Sequence, residues 1–263
     1  MGNNTIFKNT IVRRLMYLIL FIVIWQILYL LKVFPEILFP SPFLVSKTFL
    51  KELFTGTMLI KTSYSLIIIV EGLLISIAAA LFLVIFSMLS KGFKDIIKML
   101  ISIMDPLPGI TLLPLAILWV GIGEAAIIFV MIHSILWPIV LNVITGFESV
   151  PKIYKDVGNN IGLSKLKLIW NVYVPASLPN ILIGLKTGWA RAWRALISAE
   201  MVFGATGVTG GLGWDIYLKR SYLDMPGMLS TMLVIMIIGI IIEDLLFVNI
   251  EKSTIKKWGM IHE

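Results

Sequence analysis

The sequence predicts an all-α membrane protein with six transmembrane helices, and three observations carry that expectation. Apolar residues make up 59% of the 263 residues and charged residues only 14%, against roughly 45–50% and about 25% in soluble domains. The apolar residues gather into six runs, each near the length of about 20 residues that a helix needs to cross a hydrocarbon core. None of the runs alternates apolar and polar residues as barrel strands do. A mean hydropathy of +0.97 is too high for one water-soluble core, so lipid is the expected solvent.

The first run, 12–31, has Lys8 before it and Arg13 and Arg14 at its start. It outlasts the apolar core of a signal peptide, about 7–15 residues, and passes through Trp25-Gln26 without a small-residue cleavage site. It is read as a retained first helix. Segment 34–42 is punctuated by Pro35, Pro40 and Pro42, and 43–54 is amphipathic, suited to a short outer helix or to one lying on lipid. The second run, 62–89, carries Glu71. The third, 99–120, holds Pro106, Pro108 and Pro114, which remove backbone donors and prevent one straight rod. Asp105 is expected to cap that broken helix. The fourth run, 125–145, contains His133, read as a hydrogen-bonded core residue rather than a ligand or proton carrier. The fifth, 184–203, contains Arg191, Arg194 and Glu200, and the sixth is 228–248.

Net charge is +7. In a membrane protein such an excess belongs in cytoplasmic loops beside anionic lipid, not on a nucleic-acid site. With the N-terminus inside, 14 of the 22 Lys and Arg fall on the inner side and 6 on the outer, leaving Arg191 and Arg194 within the fifth run. Both termini are therefore expected in the cytoplasm. No cysteine is present, which removes disulfides and thiolate metal sites; the imidazoles are His133 and His262, and no metal site is expected. The 13 methionines read as adaptable packing.

The longest polar interruption, 146–183, falls on the inner side. Pro151 suits the first position of a helix, a short helix carries Ile153, Tyr154 and Val157, and Gly158-Asn159-Asn160 with Gly162 are expected to break it. A second amphipathic piece, 166–174, is expected to end at Pro175. Two short helices hinged at glycine would form a cytoplasmic hairpin. Its apolar row, Ile153, Tyr154, Val157 and Ile161, has no lipid to cover it, and such exposed rows mark a protein partner.

Ionisable residues at membrane depth default to functional hypotheses. Glu71 and Arg194 both lie near the midplane by residue count, so Glu71 is expected to pair with Arg194 or Arg191; the alternative is that the arginines attract an anionic substrate. Lys186, Trp189, Trp193 and Glu200 project to one side of the fifth helix at 100° per residue. That stripe suits a translocation path, with interfacial tryptophans and dimer packing as the competing account. The chain has no G-x-x-x-x-G-K-[ST] loop to cradle ATP phosphates, and the glycine-rich stretch 204–213 lacks its lysine. An intramembrane hydrolase would need a Ser–His dyad or a metal cluster, and a stand-alone secondary transporter should show inverted repeats; neither is evident.

Segment 146–183 resembles the EAA loop of binding-protein-dependent ABC transporter permeases, with Asp156-Val157-Gly158 at the E-A-A triplet, Gly162 at the following glycine and Pro175 at the later proline. Asp156 keeps the charge, whereas Val157 and Gly158 depart from Ala-Ala. Pro106-Leu107-Pro108, the run from Leu113-Pro114 to Leu118-Trp119 and Gly121-Ile122-Gly123-Glu124 resemble the third span of the nitrate, sulfonate and taurine branch. Trp137-Pro138, Asn142 and Gly146 resemble its fourth. Arg191-Ala192-Trp193, Ala199-Glu200-Met201, Gly204-Ala205 and Gly211-Leu212-Gly213 resemble its fifth span and the loop after it. The likeness covers about 63–258, most of the chain.

The resemblance implies the type I ABC importer permease fold, with one transmembrane domain over 1–263 and a cytoplasmic coupling-helix hairpin. It implies ATPase coupling through Tyr154, Asp156, Val157, Gly158, Gly162, Leu163 and Pro175; the path itself is expected to pass Trp119, Trp189, Trp193 and Glu200. The implied partners are a second copy of the permease, two ATP-binding subunits that hold the ATP and Mg, and an extracellular or periplasmic substrate-binding protein; no cofactor is expected in this chain. The implied setting is a bacterial plasma membrane. The implied cargo is a small, anionic solute such as nitrate, a sulfonate or taurine, with a thiamine-type pyrimidine precursor as the alternative.

Overall fold

The computed structural model describes residues 3–204 and 210–256, and within them every regular element is helical. Ala205 and His262, named above, lie outside the described residues. In chain order the helices are α1 (Asn3–Leu30), α2 (Pro42–Phe54), α3 (Thr57–Leu89), α4 (Lys91–Met104), α5 (Leu113–Val120), α6 (Glu124–Ser149), α7 (Lys152–Asn160), α8 (Lys165–Leu168), α9 (Val174–Ala176), α10 (Leu178–Phe203), α11 (Leu212–Ser221), α12 (Met225–Ile241) and α13 (Val248–Glu251). Four stretches are long and apolar enough to cross a membrane: Val12–Leu30, Thr57–Leu89, Glu124–Ser149 and Met225–Thr254. Six spans are reached when two bent pairs each count as one: Lys91–Met104 with Gly109–Val120, bent by 93°, and Lys165–Ala176 with Leu178–Phe203, bent by 76°. The bend in the third span falls where Pro106 and Pro108 withdraw two backbone donors, with Asp105 as the C-cap of α4. The fifth helix starts at Leu178, ahead of the expected 184, because Pro179 stands in its first turn, where proline needs no donor.

The chain divides into two units, residues 1–60 with 215–234 and residues 61–214 with 235–263. In the first unit the Trp25 indole N–H donates to the Pro40 carbonyl at 3.0 Å, and the Trp25 and Phe39 rings lie 6.1 Å apart. These contacts fasten the proline-rich turn that leads into α2. Ser41 caps α2 by accepting from the Leu44 N–H at 3.2 Å, and Pro42 opens the helix. The interior of this unit is ionic. Lys219 on α11 lies 2.7 Å from Glu52 and 2.8 Å from Asp215. Its ammonium also donates to the Thr231 hydroxyl at 3.0 Å, and Ser230 donates to Glu52 at 3.3 Å. The Lys219 side chain is only 13% exposed, so one cation holds two shielded carboxylates together.

In the second unit α6 packs along α10. Ile127, Val130, Met131 and Ile135 on α6 and Ala192, Leu196 and Ala199 on α10 are buried. Lipid tails are as apolar as these side chains, so close van der Waals fit through small residues must hold the pair. Gly184 and Gly188, spaced four apart on α10, supply it: a Cβ at Gly188 would lie 3.2 Å from Ile139 Cδ1, and one at Gly184 3.1 Å from Asn142 Cβ.

Glu200 closes this unit. Its carboxylate is 0% exposed. It accepts the Gly213 N–H at 2.7 Å and the Ser65 hydroxyl at 3.1 Å, while Ser65 itself accepts the Leu212 N–H at 2.9 Å. The acid thus sits at the N-terminal turn of α11, where free N–H groups and the helix dipole favour negative charge. A Cβ on Gly211 would overlap Glu200 Oε1, so the glycine lets the backbone close around it.

Two outcomes are expected of the detergent-solubilised chain in thermal unfolding followed by tryptophan fluorescence. Glu200→Leu orphans the Gly213 and Ser65 donors and lowers stability by about 1–3 kcal/mol for each, whereas Glu200→Gln, which keeps an acceptor, loses less than half as much. Lys219→Met leaves two shielded carboxylates facing each other and costs about 3–5 kcal/mol; adding Asp215→Asn restores part of the loss, and a melt unchanged by Lys219→Met would refute the ionic core.

Candidate functional site

The polar segment after α6 folds into a hairpin. Pro151 is the N-cap of α7 rather than its first residue. Gly158, Asn159 and Asn160, expected to break the helix, lie inside it. Gly158 is buried where a Cβ would overlap Leu168 Cδ1, so its role is to let α7 and α8 touch. The reversal comes at Gly162, whose φ of +78° favours glycine; its N–H donates to the Asn159 carbonyl at 3.0 Å and the Leu163 N–H to the Gly158 carbonyl at 3.1 Å. Those bonds satisfy the last carbonyls of α7. Ser164 opens α8. A π-helical turn, Ile169–Tyr173, and α9 follow, and the chain breaks at Ser177 after passing through Pro175. The second arm therefore extends beyond the expected stop at Pro175.

Ile153, Tyr154, Val157 and Ile161 are all more than half exposed. With Pro151, Leu163, Val172 and Pro175 they line a concave surface of about 1070 Å³. Asp156 and Gly162 are exposed outside that lining. At the root of the hairpin Glu148 pairs with Lys94 at 2.5 Å and Lys98 at 2.7 Å, tying the end of α6 to α4. Nothing in the local pattern brings residues 50 positions apart together, so this clamp is not legible in the sequence.

The expected pair between Glu71 and an arginine is not formed. Arg191 instead makes a two-pronged contact with Asp105, at 2.6 Å and 3.4 Å. The break after α4 presents the Asp105 carboxylate to α10, while Glu71 is exposed on α3 and forms no ion pair among the described residues. Arg194 is exposed; its Nε donates to the Ala190 carbonyl of its own helix at 3.1 Å, and among the described residues it has no acidic partner.

Asp105, Arg191 and Arg194 line a cavity of about 280 Å³ together with Pro106, Pro108, His133, Ser134 and Ser198. His133 is not the hydrogen-bonded core residue expected: both ring nitrogens are buried without a partner. A second cavity of about 420 Å³ is lined by Lys186, Trp189, Trp193, Arg194 and Glu243. There the Trp189 and Trp193 rings stack at 6.0 Å, and Lys186 is paired with Glu243 at 2.8 Å. Of the four residues expected along a path, Trp189 and Trp193 face this space. Glu200 does not, being enclosed by Ser65 and Gly213, and Trp119 lines neither cavity, being 65% exposed and edge-on to Phe129. Among the described residues no cluster of three or more acidic or imidazole side chains could hold a metal ion.

Residues 72–256 match the family described as binding-protein-dependent transport system inner membrane component. A provisionally named ABC transporter permease protein of Methanocaldococcus jannaschii is 29% identical over 189 residues, covering 72% of this chain and 70% of that protein. The taurine transport system permease protein of Escherichia coli is 30% identical over 59% of this chain, and the nitrate import permease protein of a Synechocystis strain 34% identical over 49%. The aligned parts span about half of those two relatives, 55% and 46% of their lengths. The match runs from within α3 to the last π-helical turn and takes in the two bent spans, the hairpin and both cavities, so this multi-pass membrane chain belongs to the binding-protein-dependent transport system inner membrane components, in the ABC permease branch that holds taurine and nitrate permeases.

Proposed function

We propose that the chain is the permease subunit of an ATP-driven importer for a small anionic solute, of the size of nitrate, a short sulfonate or taurine. In this reading two copies form the path, two ATP-binding subunits dock on the hairpins at the cytoplasmic face, a binding protein delivers the solute from outside, and both termini are cytoplasmic. The observation that carries it is the hairpin's bare apolar face around Tyr154 and Val157, more than half exposed on a helix, α7, that also carries Lys152, Lys155, Asp156, Asn159 and Asn160. An apolar concavity of that kind is the shape of a protein partner's seat. The absence of a phosphate-cradling loop from the sequence agrees with energy supplied by that partner.

The hairpin is built to transmit motion rather than absorb it. Gly158 lets α7 rest on Leu168, and the Phe147 and Tyr173 rings, 5.4 Å apart, pack the end of α6 against the second arm. A push on α7 passes through the second arm to Ser177 and so to α10, which bears Arg191, Arg194 and the tryptophan stack. Glu148 passes the same push to α4 through Lys94 and Lys98.

Co-purification with the cognate ATP-binding subunits tests this. Val157→Asp places a charge on the apolar face and is expected to abolish co-purification while the subunit remains inserted; retention of the complex would overturn the docking role. Substitutions at the two glycines separate fit from backbone strain. Gly158→Leu, which drives a side chain into Leu168, is expected to uncouple ATP hydrolysis from transport. Gly162 faces open space, so Gly162→Asn, tolerant of positive φ, should transport nearly normally. Gly162→Val, for which that φ costs about 1–2 kcal/mol, should not.

A further inference from the structure

We infer that the cavity at the bend between α4 and α5 is a subsite for a small oxyanion, held by Arg194 with Ser198. The inference rests on the importer reading for its role, but the site stands on its own chemistry.

The charge balance of the lining selects the sign of the ligand. Asp105 neutralises Arg191 through contacts of 2.6 Å and 3.4 Å. That leaves Arg194 as the uncompensated charge of this lining among the described residues. Its Nε is occupied by the Ala190 carbonyl, so its two Nη groups, with four N–H donors between them, remain for a ligand. The neighbouring cavity ends on the same group: Lys186 there is matched by Glu243, and Arg194 is again the unmatched cation. One guanidinium thus borders both spaces, in a chain where other described charges on these walls are paired.

The two hydroxyls of the lining differ in what they already hold. The Ser134 hydroxyl donates to the Val130 carbonyl at 3.0 Å, but Ser198 forms no described hydrogen bond, and both His133 nitrogens are buried and unpartnered. Pro106 and Pro108 form part of the wall and contribute no N–H, while Leu107, Gly109 and Ile110 stand beside them in the lining. A volume of about 280 Å³ lies just below the range of roughly 300–1,000 Å³ usual for small-molecule sites, which suits a solute of a few atoms and excludes a nucleotide or peptide. A planar or tetrahedral oxyanion meets a guanidinium through paired hydrogen bonds, whereas a cation would meet Arg194 unscreened.

The test uses the permease assembled with its ATP-binding subunits in nanodiscs, in chloride-free gluconate buffer, titrated calorimetrically with sodium nitrate and sodium methanesulfonate, and with choline gluconate as the cationic control. Saturable binding of at least one of the two anions and none of choline is expected. Arg194→Gln should weaken it by about tenfold to a hundredfold, the worth of a charge-assisted hydrogen bond; Arg194→Lys should recover part, and Ser198→Ala should weaken it severalfold. Should Arg194→Gln fail to assemble, Arg194→Lys and Ser198→Ala carry the comparison. Binding of neither anion to the unsubstituted complex, or binding indifferent to these substitutions, overturns the subsite. Stimulation of ATP hydrolysis by the binding protein is measured in parallel: if it persists without anion binding, the subsite falls and the importer reading stands, and if it is missing while anions bind, the reverse holds.

Discussion

An ionised group carried into an apolar bundle must find its counter-charge or its hydrogen bonds inside the chain, because neither lipid nor packed side chains supply them. That constraint organises this structure more than any single apolar contact. Lys219 gathers Glu52 and Asp215; Arg191 takes Asp105; Glu200 is satisfied without a cation, by Gly213 and Ser65. Each solution joins elements far apart in sequence, so each also pins a piece of backbone: α2 against α11, the break after α4 against α10, and the start of α11 against α10 and α3. Against this background Arg194 stands out as a cation on a cavity wall with no acid to meet it among the described residues.

The two bends follow from the same economy of backbone groups. Pro106 and Pro108 delete N–H donors, so the third span cannot run straight through, and the 93° turn that results turns Asp105 toward α10. The Ser177 break and the proline after it let the hairpin's second arm meet α10 at 76°. On the proposed reading these corners are where a push from an ATP-driven partner becomes a change at the arginines and tryptophans of α10. The hairpin can act as one piece because Gly158 brings its two arms into contact, and because Glu148 fixes its root to α4.

Much of this was legible in the residues. The apolar runs, the broken third span and the uncovered row at Ile153, Tyr154 and Val157 follow from local composition and period, and all reappear in the helices. The failures have a common form. Gly158 was read as a helix breaker from its residue type, but helix propensity costs only about 1 kcal/mol at one glycine, and the contact with Leu168 outweighs it. Glu200 was placed on an open stripe because Lys186, Trp189 and Trp193 share its side of the helix; the loop folding back at Gly211 to Gly213 covers it. The Gly184 and Gly188 pair was missed although its four-residue spacing is a recognised signal for close helix packing.

By itself the sequence determined that this is a helical membrane chain, that its third apolar run is broken, and that a polar hairpin with an apolar face follows the fourth. Those properties depend on neighbours within a turn or two of helix, which periodicity and proline placement report directly. Only the tertiary structure decided that Arg191 meets Asp105 rather than Glu71, that Glu200 caps α11, and that His133 and Arg194 share a cavity. Partners of that kind are chosen by how one span is rotated and shifted against another, and a single chain's residue pattern carries no measure of that distance.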